Sequence, residues 1–109
     1  MTDATHPGYL VTIGDDEYPV RLPEVTARQV GVIRLLHGRT PTDLAVMVDQ
    51  GTADLPEVVA LAHLSRLQAG DGDFDAAALL DSVTLSTAVV IDRLPAEADV
   101  PIEDADPQL

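Results

Sequence analysis

Three kinds of residue in this chain could do chemistry by type and spacing. The first are the acids of "GDGDFDAAALLDSV", where Asp71, Asp73 and Asp75 alternate as the oxygen ligands of a calcium loop alternate. An EF-hand loop also needs glycine at its sixth position and a bidentate glutamate at its twelfth. Counted from Asp71, those positions hold Ala76 and Ser82. The acids are better read as a helix start, with Asp73 as N-cap and Asp75 near the positive helix end. A weak calcium site is the competing reading.

The histidines are the second kind. His6 lies in a patternless N-terminal stretch, and His37 closes a helical segment where an imidazolium would meet the C-terminal dipole. His63 lies mid-helix, with Val59 and Leu67 at i−4 and i+4 rather than a second ligand. Each is expected as a surface or boundary histidine, and no metal or other cofactor is expected. The serines are the third kind. Ser65, Ser82 and Ser86 sit in no Gly-x-Ser-x-Gly elbow. The chain has no phosphate loop or dinucleotide fingerprint. No spacing brings two carboxylates together in an apolar setting. The expectation is a protein that is not an enzyme and has no catalytic residues.

The elements that would position these residues can be read from periodicity. "YLVTI", residues 9–13, and "EYPVRL", residues 17–22, alternate as strands around the turn "GDD". Pro19 cannot donate a ladder bond, so its strand belongs at an edge. In "PEVTARQVGVIRLLHG", Thr26 and Gln29 form a capping box, Val25 and Val30 a staple, and Gly38 the C′ residue. Val30, Ile33 and Leu36 share one face of that helix.

A second helix opens with Thr40 as cap, Pro41 at N1 and Asp43 in the first turn. Its apolar stripe is Leu44, Met47 and Val48, and Gly51 ends it. A third begins with the capping box Asp54 and Glu57 and carries Val58, Leu61, Leu64 and Leu67, widened by Val59 and Ala62. A face this broad suits the central helix of a small bundle. Val89 to Ile91 reads as a third strand, an extended arm or a helix end. The fold class expected is α+β: an N-terminal β-hairpin on about four helices. Residues 1–8 form a loose arm, 9–94 one domain, and 95–109 an acidic disordered tail with three prolines and five acids.

Composition bounds the partners. Of 109 residues, 46% are hydrophobic but only Tyr9, Tyr18 and Phe74 are aromatic, so the core must be aliphatic. Cysteine is absent, which removes disulfides and thiolate chemistry. All six bases are arginine against nineteen acids, giving a net charge of −13. That charge repels phosphate and anionic lipid, so neither nucleic acid nor membrane is an expected partner. "MTDATHPGY" has no basic or apolar leader region, so a cytoplasmic protein is expected.

The order "YLVTIGDDEYPVRLPEV", "TARQVGVIRLLHG", "LPEVVALAHLSRLQAGDGDFDAAALLDSV" resembles small tail assembly chaperones of phages infecting high-GC, actinobacterial hosts. The shared pattern is an opening hairpin, a helical middle running into an acidic Leu-Asp-x-Val segment, here Leu80 to Val83, and an acidic proline-bearing tail. It covers roughly residues 9–94. The family often carries a tryptophan in the apolar helix, where this chain has "ALAHLSRL".

The resemblance implies a non-enzymatic protein of the host cytoplasm. It would bind a long helical tape-measure protein during tail morphogenesis, and the family is often also made in a frameshifted longer form. Ile33, Leu36, Leu61 and Leu64 are the candidate partner-binding residues, and a homo-oligomer is compatible. Two other classes fit the same composition. One is a structural or adaptor component of the virion, in the tail or head-tail region. The other is an acidic DNA mimic, although fourteen of the acids fall within residues 1–94 and cluster in turns and caps rather than along a stripe.

Overall fold

The computed structural model describes residues 8–94. Of the loose arm expected over residues 1–8, residues 1–7 lie outside the described residues, as does the tail expected over 95–109, whereas Gly8 already belongs to the first strand. Strand β1 (Gly8–Ile13) turns through Gly14 and Asp15 into β2 (Asp16–Arg21). Gly14 takes the left-handed conformation that this tight turn requires, at φ 61°. After a single 3-10 turn, Leu22–Glu24, come helices α1 (Ala27–His37), α2 (Pro41–Gln50), α3 (Leu55–Gln68) and α4 (Ala76–Ser82), then strand β3 (Val89–Arg93). The fold is α+β, as its periodicities predict.

The sheet is antiparallel in the order β2-β1-β3. Of the readings open for Val89 to Ile91, the strand is the one that forms: Val11 faces Ile91 and Ile13 faces Val89. Period-two alternation puts Tyr9, Val11, Ile13, Tyr18 and Val20 on the buried face. Pro19 is exposed on edge strand β2, where a missing ladder donor is tolerated. Tyr9 ties the sheet to α2: its hydroxyl lies 2.9 Å from Asp49 Oδ1 and 3.1 Å from the Ala45 carbonyl. Burial and the Asp49 carboxylate push the Tyr9 pKa well above the usual phenol range.

Helix α3 is the centre. Every residue from Val58 to Ser65 is buried, and α3 packs against β2, α1, α2 and α4. The capping boxes expected at Thr26–Gln29 and Asp54–Glu57 are both made, and a third joins Thr40 to Asp43.

One cap falls elsewhere. Helix α4 is capped by Asp75, whose Oδ1 accepts from Ala78 N at 2.9 Å, and not by Asp73. Asp71 instead accepts from Arg66 at 3.2 Å, while Asp73 stays exposed. The alternating acids therefore divide among a cap, an ion pair and solvent.

Candidate functional site: an apolar cleft over a histidine pair

Helices α1 and α4 both lean on α3 and leave a cleft of about 540 Å³ between them. Val32, Leu36 and His37 form the α1 wall. Phe74, Asp75, Ala77 and Leu80 form the wall of α4 and its preceding loop. His63 and Leu67 of α3 lie at the floor.

His37 and His63 meet there, Nε2 to Nδ1, at 2.9 Å. Their rings are edge-to-face with centroids 5.2 Å apart, and Phe74 covers His63 from 5.7 Å. Gly38 helps set this geometry by leaving α1 at φ 71° immediately after His37. Such a bond needs one imidazole as donor and the other as a neutral acceptor. Burial holds the His37 pKa below its usual value, and the His63 ring adds to the effect. Burial alone lowers His63, which is 4% exposed.

Two imidazoles can bind metal, but among the described residues no three His, Cys, Asp or Glu side chains are arranged to hold an ion. The expectation of boundary histidines describes His37. It misses that His63 is buried and that the two are partners. The signal was periodicity: His37 follows Ile33 by four and His63 follows Val59 by four, both core positions.

The four residues proposed from sequence as partner-binding separate cleanly. Ile33, Leu61 and Leu64 are wholly buried in the core and offer no surface. Their helical stripes are consumed by the α1–α3 packing and by the sheet. Leu36 is different. It shares a helical face with Ile33, yet it is 60% exposed on the rim of the cleft. Leu80 stands on the opposite rim at 42%, and Leu35, next to Leu36 in α1 but outside the cleft lining, is 84% exposed. Sequence reasoning missed Leu80 and Leu35. Leu80 reads as an ordinary apolar position of a short helix until the spacing of α1 and α4 is known.

The cleft can therefore accept apolar side chains. Its open rims are leucine, its walls are aliphatic and aromatic, and its polar groups are a mutually satisfied histidine pair and the capping Asp75. No protein-family model, curated protein or solved structure matches the chain.

Proposed function

We propose that this protein is a non-enzymatic assembly chaperone. In this reading it binds a long helical tape-measure protein in the host cytoplasm during phage tail morphogenesis, and the α1–α4 cleft is its docking site. The observation that carries the reading is the exposure of Leu36 and Leu80 on the two rims of an apolar cleft. Contiguous apolar surface of this kind on a small domain marks a place where another molecule sits. A helix lays its i, i+3, i+4 and i+7 side chains into such a trough. The net charge of −13 suits the rest of the task, because it keeps a loaded complex apart from its neighbours. Among the described residues no helix is long and apolar enough to cross a membrane.

The test is co-expression with the longest helical protein encoded just downstream, followed by size exclusion. Co-elution, with the partner insoluble when expressed alone, is the expected result. If the partner's solubility is unchanged and the proteins elute apart, the chaperone reading fails. Recovery of the protein in purified particles would then favour a structural component of the virion.

A further inference from the structure

The cleft has rims of opposite sign. On α1 the cleft is lined by Val32 and Leu36, their i, i+4 row continues to Arg28 one turn beyond the lining, and α1 contains no acid at all. Arg28 and Arg34 are exposed and make no ion pair among the described residues, whereas Arg39, Arg66 and Arg93 each have a carboxylate within 4.0 Å. Arg34 helps to hold the Asp43 carboxyl low, so Arg28 is the α1 arginine that engages no acid among the described residues, in a chain with nineteen acids. The α4 rim is acidic. Asp75 lines the cleft, and exposed Asp81 follows Ala77 by one turn on the outer side of that rim.

We infer that the cleft takes an amphipathic partner helix whose apolar stripe is flanked by carboxylates on one side and by basic residues on the other. This rests on the docking site proposed above and adds the chemistry of its occupant. Carboxylates would lie along Arg28, and cations along Asp75 and Asp81. Opposite rims also set the direction in which the partner helix runs, since reversing it would put like charges together. A second copy of this chain is a poorer occupant. An α1-to-α1 contact through the Val32 and Leu36 face would bring the Arg28 side chains of the two copies together with no acid on either helix to offset them.

Net charge and local charge make opposite predictions, which makes the inference testable. Two synthetic helical peptides would share one leucine stripe. One carries glutamate on one flank and lysine on the other, and its counterpart carries lysine on both. Binding to the full chain is read by fluorescence anisotropy at low ionic strength. Overall charge alone favours the doubly basic peptide. The rims favour the mixed peptide by about threefold, the order expected for an exposed charge pair. In Arg28→Glu the preference reverses. That substitution puts an acid in the first turn of α1, where the helix dipole welcomes it, so folding is not at stake.

If the doubly basic peptide binds at least as tightly as the mixed one, and Leu36→Glu abolishes its binding, the charge inference is overturned while the docking site stands. If neither peptide binds, or Leu36→Glu changes nothing, the docking site itself is wrong and the inference falls with it.

Discussion

Two imidazoles lie 2.9 Å apart in a largely apolar cleft, where burial disfavours the charged form of both and His63 adds to the effect on His37. The charged groups near them are few: Asp75 faces the cleft from the α4 side, and neither α1 nor α3 adds an acid to its lining. Both folded pKa values lie below the unfolded value of about 6.5. The unfolded chain therefore binds more protons in the window just below that value. The histidine contribution is complete above pH ~6.5 and is lost as pH falls through the window toward the folded values. Thermal stability should be lower at pH ~5 than at pH ~7.5, and the double variant His37→Gln, His63→Leu should flatten that difference. An unchanged pH slope in the double variant would remove the pair from the account. Carboxylate effects are separable because they lie lower: Asp43, held down by its bonds to Thr40, titrates below the usual carboxylate range. A second prediction at this scale concerns Gly8. A Cβ there would collide with the backbone carbonyl of Val20 across the β1–β2 ladder. Gly8→Ala should cost about 1–3 kcal/mol in denaturant unfolding, since backbone on both sides must move.

At the scale of elements, much was legible because caps and periodicity are local. Thr26, Thr40 and Asp54 announce helices at their first turns, and Gly38 and Gly51 close two of them in left-handed conformation. The hairpin follows from alternation around Gly14, with its second strand starting one residue earlier than its sequence suggests. Less was legible wherever distant segments decide. β3 is short and exists because the open edge of β1 accepts it, with Gly14 N also donating to Ala88 O at 2.8 Å. The choice between Asp73 and Asp75 as cap is set by where the chain leaves α3, since Asp71 is already drawn to Arg66 at 3.2 Å. The cleft was illegible for the same reason. Leu36 and Ile33 share a helical face, but α3 covers only Ile33 because α4 is held away from α1. The cap assignment yields a sharp comparison. Asp75→Ala should destabilise by about 1 kcal/mol, and Asp73→Ala should stay within about 0.5 kcal/mol of wild type, both read from urea midpoints.

For the whole molecule, the core and the proposed docking surface occupy different residues. The core runs from the inner face of the sheet through α3, and Leu61 lies wholly within it. Truncating it to alanine should cost about 2–5 kcal/mol and disturb binding only through unfolding. Leu36 and Leu80 stand on opposite rims of the cleft. Changing them should leave stability within about 0.5 kcal/mol, the usual range for surface substitutions. The most direct measurement is size-exclusion co-elution of the Leu36→Glu, Leu80→Glu double variant with the long helical partner, beside the wild-type chain and with melting curves for both. The account predicts an unchanged melt and a lost complex. A complex retained by a folded double variant would contradict it, because the cleft would then not be where the partner binds.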